Sequence, residues 1–319
     1  MQRVLTDSDA GTKYSLVIPV YRNEENIPEL LDAICGLSAK LGPEFEAIFV
    51  VDGSPDRSYA ILRKMLPDAG FHTQLIALSR NFGAFAAIRI GLGFARGNHI
   101  AVMSADLQEP PHLILAFFEE LEKGKHDVAF GVRIARNDPW TSKIFSKIFW
   151  LIYRRTVMPD VPEGGVDIFA LQAAFRDQLL RLEESNSSLL SQLFWLGGER
   201  LMIGYERMPR VHGKSAWTFG KKLRYLSDSV FSFTNLPIRV MTLLGAFGLL
   251  CAVALMSITL FAKITGLIEV PGYAGIVLAI LFFGALNTFG IGIVGTYAWR
   301  AFENTKRRPL AIVQSHDTY

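Results

Sequence analysis

The sequence predicts an α/β domain on a mostly parallel sheet with helices on both faces, followed by a two-helix membrane hairpin. Three observations carry this prediction. From Tyr14 to Gly131, short β-branched runs alternate with segments of helical periodicity, the pattern of strand–helix–strand units. Half of the 319 residues are hydrophobic, and the mean hydropathy of +0.26 is high for a soluble enzyme. That excess collects after Arg239, where Val240–Ala262 and Val270–Trp299 hold no charged residue.

Strands are expected at Tyr14–Ile18, Glu46–Val51, Gln74–Leu78, His99–Met103 and Asp127–Phe130. The first helix follows Asn26, read as an N-cap with Glu29 at the capping-box position. Ile27, Leu30, Leu31, Ile34, Leu37 and Leu41 recur at helical spacing until Gly42 ends the helix. Tyr59–Leu66, Ala84–Ala95 and Leu113–Lys123 fit further helices. In such sheets ligands bind beyond the carboxyl ends of the strands, so polar residues just after each strand carry the functional information.

Each charge-free stretch exceeds the roughly 20 residues a helix needs to cross a bilayer. The loop between them, Lys263–Glu269, holds one Lys, whereas Arg224 and Arg239 precede the hairpin and Arg300, Lys306, Arg307 and Arg308 follow it. Excess positive charge on both flanks places them on the cytosolic side. Trp140–Val157 and Phe219–Phe233 each set apolar residues on one face against Lys and Arg on another, as helices lying in the headgroup layer do. The expected organisation is a cytosolic catalytic domain at 1–210, an amphipathic juxtamembrane segment at 211–239, two transmembrane helices at 240–299 and a basic cytosolic tail at 300–319.

Composition narrows the function further. Cys35 and Cys251 are the only cysteines, which excludes a disulfide framework or a zinc site. The N-terminus is polar and Ser15–Ile18 is too short for a leader, so the first domain is expected in the cytosol. The net charge of +3 is mild; no nucleic-acid partner is expected, and a homo-oligomer stays open.

Three strand ends carry chemistry. The first reads Val17-Ile18-Pro19-Val20-Tyr21-Arg22-Asn23-Glu24-Glu25; Pro19 stops the strand, Tyr21 offers a flat ring and Glu24 an acceptor for a base or ribose. The second reads Val50-Val51-Asp52-Gly53-Ser54-Pro55-Asp56, a carboxylate suited to a nucleobase N–H or simply a turn Asp. The fourth reads Ser104-Ala105-Asp106-Leu107-Gln108-Glu109-Pro110-Pro111. Oxygen side chains two apart in an extended segment converge on one hard cation; an acidic loop before a Pro-started helix is the plain alternative.

Together these strand ends resemble the family-2 glycosyltransferases of GT-A (Rossmann-like) fold, particularly polyprenyl-phosphate glycosyltransferases and dolichol-phosphate-mannose synthases. The resemblance runs on through Ser79-Arg80-Asn81-Phe82-Gly83, Gly131-Val132-Arg133, Gly165-Val166-Asp167-Ile168-Phe169 and Arg210-Val211-His212-Gly213-Lys214-Ser215 to the hairpin and Arg308-Pro309. It implies that Pro19, Tyr21, Glu24 and Asp52 hold the nucleoside, and that Asp106 with Gln108 binds Mg²⁺ or Mn²⁺. It makes Asp167 the carboxylate of the catalytic pocket. Arg210, Lys214 and Ser215 would face the phosphates, with Arg133 a further phosphate candidate. Three positions depart from the family pattern: Val51 and Ser104 stand where Asp is common, and Ala84 where a polar residue is common.

The reaction implied is inverting transfer of a hexose from a UDP- or GDP-linked sugar to polyprenyl phosphate, at the cytosolic face of a bacterial plasma membrane. A processive polysaccharide synthase is disfavoured, since no Gln-x-x-Arg-Trp motif occurs. Another membrane glycosyltransferase, or an impaired membrane-anchored scaffold that binds nucleotide-sugar, remains as an alternative.

Overall fold

The computed structural model describes residues 11–134, 153–155, 158–162, 166–184, 186–208, 219–265 and 272–319. The chain divides into two compact units, Met1–Lys222 with Arg308–Tyr319, and Leu223–Arg307.

The first unit is built on one sheet. Its strands are β1 (Tyr14–Val20), β2 (Phe45–Val51), β3 (His72–Leu78), β4 (His99–Val102), β5 (Val128–Arg133), β6 (Val166–Gln172), β7 (Arg200–Tyr205) and β8 (Val313–Thr318), in the order β7-β5-β6-β4-β1-β2-β3-β8. The centre is parallel: β1 pairs with β2 and β4, and β2 with β3. β5 and β7 are also parallel, while β6 runs antiparallel to β4 and β5 and β8 antiparallel to β3. Between the strands lie α1 (Ile27–Leu41), α2 (Ser58–Met65), α3 (Ala84–Phe94), α4 (Pro111–Glu122), α5 (Ala173–Leu180) and α6 (Leu189–Trp195).

β2 is buried along its whole length, as a central strand covered on both faces must be. α1 buries Ile27, Leu30, Leu31, Ile34 and Leu37, the apolar face its spacing predicts. Two local expectations fail. Asn26 makes no side-chain cap: its backbone is already near-helical, at φ −87° and ψ −15°, within a turn closed by Asn26 N–H to Asn23 O. Pro19 does not stop β1, which continues to Val20. It lies past the last β1–β4 pair, Val17↔Val102, so no ladder on that side calls on the N–H it lacks.

Residues 300–319, read as a basic tail, divide in two: 300–305 complete the last helix, and Val313–Thr318 form β8. β8 has no apolar alternation to announce it. It is held by the ladder to β3 and by paired bonds between Thr73 and Tyr319, at 2.9 and 3.0 Å.

The second unit is helical. α7 (Phe219–Phe233) leads into it, followed by α8 (Leu236–Ile264) and α9 (Tyr273–Thr305), of 29 and 33 residues. α8 meets α9 at Gly290, where a Cβ would lie 2.7 Å from Met241 Cε. Arg300 ties α9 to α7, pairing with Asp228 at 2.7 Å and donating to Ser232 Oγ at 3.1 Å. Leu243, Phe247, Leu250, Phe261, Ile276 and Ile280 are all exposed. Among the described residues no single helix is long and apolar enough to cross a membrane; the pair Leu226–Phe233 and Leu236–Gly248, bent by 75°, passes by length and composition. Of the other amphipathic segment, Trp140–Val157, only 153–155 fall within the described residues.

Candidate active site

The strand order reverses at β1, with β2 and β3 on one side and β4 on the other. A crevice at such a switch point is where open α/β sheets take ligands. Tyr21 follows β1, Asp52 follows β2 and Asp106 follows β4, so three of the predicted positions gather there.

The turns after β1 and β2 are clasped together. Arg22 N–H donates to Ser54 Oγ at 2.8 Å, Asn23 N–H to Ser58 Oγ at 3.2 Å and Glu24 N–H to Asp56 Oδ2 at 3.1 Å. Glu24 replies by accepting the Arg57 N–H at 2.9 Å. Arg22 takes φ +57° to make this turn. A cavity of about 310 Å³ opens here, lined by Arg22, Asn23, Glu24, Pro55 and Asp56 among others. Burial pushes the Asp56 carboxyl up, but bonds from Ser54, from the Ser58 hydroxyl and N–H, and from Glu24 N–H leave it below the ordinary value.

Asp52 sits against the loop that follows β3. It is 2% exposed, and its two oxygens accept the N–H groups of Phe82 and Gly83 at 2.7 and 2.8 Å. The carboxylate therefore braces the Ser79–Gly83 loop. Gly53 permits the fit: at φ +54°, a Cβ would lie 2.2 Å from Arg80 C. Burial raises the Asp52 carboxyl, against the pull of the Phe82 and Gly83 bonds and of the Arg80 charge. Arg80 itself lies over the Phe82 ring, 4.1 Å from its centroid. Sequence reading quoted it without a role.

After β4, Leu107 at φ +53° turns the chain and Glu109 comes back to Ser104. Ser104 Oγ lies 2.8 Å from Asp106 Oδ1 and also in contact with Glu109 Oε2. One hydroxyl proton cannot serve two carboxylate oxygens. This cluster suits a hard cation; Asp106 and Glu109 would supply charge and Gln108 an amide oxygen. Glu109 is 2% exposed, and its carboxylate lies against Ser104, which stands where the family pattern commonly has Asp. Among the described residues no group of three or more His, Cys, Asp and Glu could hold a metal, so a cation here would need ligands from the donor.

The remaining strands bring the other side. The antiparallel register Ala101↔Ala170 lays the start of β6 beside the end of β4, so the backbone of Asp167 shares this sheet edge. Arg133 ends β5, opposite Tyr205 of β7. Just past β7, Arg207 Nη2 donates to Gln108 Oε1 and Met208 N–H to Gln108 O, the latter at 2.9 Å. Arg207 was not singled out from sequence. Arg210, Lys214 and Ser215 lie outside the described residues.

Comparison with known proteins gives this geometry its context. The model of the family described as Glycosyl transferase family 2 matches residues 15–181, just over half of the chain. An uncharacterized glycosyltransferase of Synechocystis sp. is 30% identical over 302 residues, 94% of each chain. The putative glycosyltransferase CsbB of Bacillus subtilis is 29% identical, over 94% of this chain and 91% of its own. Solved structures bear a fainter likeness. S. aureus TarS 1–349 in complex with UDP-GlcNAc gives a TM-score of 0.44 at 18% identity, covering 70% of this chain and 67% of that one. The mannosyltransferase PcManGT of Pyrobaculum calidifontis, in complex with GDP-Man and Mn²⁺, gives 0.44 at 14%, covering 90% and 87%. With the family pattern running from β1 to the end of α5 and a relative matching nearly end to end, the chain belongs to glycosyl transferase family 2: it is an enzyme of GT-A-like fold that transfers a sugar from a nucleotide-sugar.

Proposed function

We propose that this glycosyltransferase delivers a hexose from a UDP- or GDP-linked donor to a polyprenyl phosphate, at the cytosolic face of a bacterial plasma membrane. The observation that carries the reading is the apolar second unit. α8 contains the charge-free stretch Val240–Ala262 and α9 the charge-free run from Tyr273 to Trp299, and α8 leaves Leu243, Phe247, Leu250 and Phe261 exposed. Apolar surface on this scale calls for a lipid partner. The basic flanks favour a hairpin with both ends in the cytosol, where nucleotide-sugars and the carrier's phosphate meet.

In the reaction, a phosphate oxygen of the carrier forms the new bond to the anomeric carbon as the bond to the nucleoside diphosphate breaks, with inversion. The second pKa of a phosphomonoester is roughly 6, so the acceptor is largely ionised at neutral pH and needs no strong base. Asp167, at the sheet edge, then orients sugar or acceptor. Arg133, Arg210, Lys214 and Ser215 offset repulsion between the two phosphate-bearing substrates. Pro19, Tyr21 and Glu24 border the nucleoside, and Asp52 shapes the loop against it. Mg²⁺ or Mn²⁺ at Asp106, Gln108 and Glu109 would neutralise charge on the leaving diphosphate.

The test uses membranes holding the full chain, labelled UDP- and GDP-sugars, and undecaprenyl phosphate. Label should enter the lipid extract, and Asp106→Ala should remove at least about 99% of it, while Ser104→Ala has a much smaller effect. Label passing only to water-soluble or glycan acceptors would overturn the acceptor assignment.

A further inference from the structure

Arg207 holds a position that the reaction above does not use. It lies in the segment just beyond β7, and its Nη2 donates to Gln108 Oε1. The same segment is zipped to the loop after β4 by Met208 N–H to Gln108 O at 2.9 Å and Gln108 Nε2 to Met208 O at 3.4 Å. Gln108 is only 9% exposed, so the guanidinium covers an oxygen inside the site. Arg207 Nε is buried and has no hydrogen-bond partner among the described residues. A buried guanidinium N–H without an acceptor costs free energy, and once Nη2 leaves Gln108 the Nε and Nη2 groups can grip phosphate by two parallel bonds.

We propose that Arg207 is a donor-binding residue. It holds the Gln108 amide oxygen while the site lacks donor, and turns to the leaving diphosphate when cation and nucleotide enter. The inference rests on Asp106 and Gln108 being the cation ligands. A guanidinium and a divalent ion seek the same oxygen, and two cations within a few ångströms repel each other. The cation alone must therefore dislodge Arg207. Arriving with a diphosphate, it gives the guanidinium a better acceptor. Cation and nucleotide then bind synergistically, and Arg207 is part of the reason.

The experiment measures two affinities on the full chain in detergent: Mn²⁺ without nucleotide, by electron paramagnetic resonance, and UDP or GDP in saturating Mn²⁺, by calorimetry. Arg207→Ala should bind Mn²⁺ alone several-fold more tightly than the parent, because the competing charge is gone. It should bind the nucleotide about tenfold more weakly, the loss expected for one charge-assisted bond. Arg207→Lys keeps the charge without the fork. It should leave Mn²⁺ binding weak yet still lose nucleotide affinity, and it serves if the alanine variant fails to fold. A merely structural arginine would lower both affinities together, and that result would overturn the proposal, as would an unchanged nucleotide affinity in both variants. Asp106→Ala and Gln108→Ala are measured alongside. If both keep the Mn²⁺-dependent nucleotide affinity of the parent, the cation-site assignment itself fails, a result separable from failure of the Arg207 role.

Discussion

At the amino ends of its parallel strands the sheet buries Glu46, and at the carboxyl ends it buries Asp52 and Glu109. Glu46 and Asp52 each have both oxygens partnered, whereas Glu109 shares one serine hydroxyl with Asp106. Glu46 is 1% exposed; Oε1 accepts from Ser15 Oγ at 2.6 Å and Arg96 N–H at 2.7 Å, and Oε2 from Gln74 Nε2 at 2.9 Å. Ser15 Oγ accepts in turn from Gly97 N–H, at 2.8 Å. Both carboxylate oxygens have partners and the network is closed. Beyond β4, by contrast, Asp106 and Glu109 crowd one serine hydroxyl, Glu109 also accepting the Ser104 N–H at 3.3 Å, and Arg207, just past β7, keeps a buried N–H with no acceptor among the described residues. A closed polar network holds strands in register. The cluster after β4 lies instead at the edge where such sheets take ligands. The same chemistry thus serves stability at one end and binding at the other.

The largest effect that would break this comparison is at the closed end. Glu46→Ala takes the acceptor from Ser15 Oγ, the part-buried Arg96 N–H and Gln74 Nε2; Gln74 keeps Phe94 O, and the other two groups cost about 1–3 kcal/mol each when stranded. A stability loss of about 3 kcal/mol or more is expected, read as a lowered thermal unfolding midpoint, with transfer per folded molecule retained. A variant of normal stability that had lost transfer would show that the two ends are not separate in role.

A smaller effect tests the carboxyl end. Asp52→Asn keeps the shape but sets an amide NH₂ against the N–H of Phe82 or Gly83, loosening the Ser79–Gly83 loop. UDP or GDP affinity should fall about tenfold, the equivalent of one lost charge-assisted bond, with a fall in the unfolding midpoint smaller than that of Glu46→Ala. The sign of the pH dependence follows from Asp52 being raised by burial. Its stabilising contribution is full below the unfolded value of 3.8 and is lost as pH rises through the folded one. Asp56, lowered by its four bonds in spite of burial, behaves oppositely: its contribution is present above 3.8 and lost as pH falls through the folded value.

The difference between the ends also explains what could be read in advance. β1 to β5 and their helices were legible because β-branched runs and helical apolar spacing are local signals. Asp106 and Gln108 were legible because they follow a strand directly. Glu109 and Arg207 were not: one returns to Ser104 through a positive-φ turn, and the other reaches Gln108 across 99 residues. β8 escaped for a related reason. Val313–Thr318 alternates half-buried and exposed residues with a mostly polar sequence, so only its pairing with β3 makes it a strand. Glu46 reads as a strand residue, and nothing local marks it as the centre of a network fed by Ser15, Gln74 and Arg96.

The smallest expected effect lies where β8 joins the closed end. His316 Nε2 is 2.9 Å from Gln74 Oε1, and Gln74 Nε2 donates to Glu46 and to Phe94 O. That orientation of the amide requires His316 Nε2 to carry the hydrogen. The ring also stands edge-on to Phe94, 4.6 Å between centroids. Burial holds the His316 pKa below 6.5, the Arg96 charge lowers it further and Asp317 partly opposes them. Protonation would keep the bond to Gln74, since Nε2 remains a donor; the penalty comes from the buried charge beside Arg96. A histidine lowered on folding contributes stability that is full above its unfolded value and lost as pH falls through its folded one. Backbone amides of 313–319 should therefore exchange faster at pH 5 than at pH 7 once intrinsic rates are removed, by about tenfold for each unit of depression. His316→Gln, which still donates to Gln74 but does not titrate, should flatten this dependence while leaving β8 paired. If parent and variant exchange alike at both pH values, His316 carries no charge-linked stability, and β8 is held by its ladder and the Thr73–Tyr319 bonds alone.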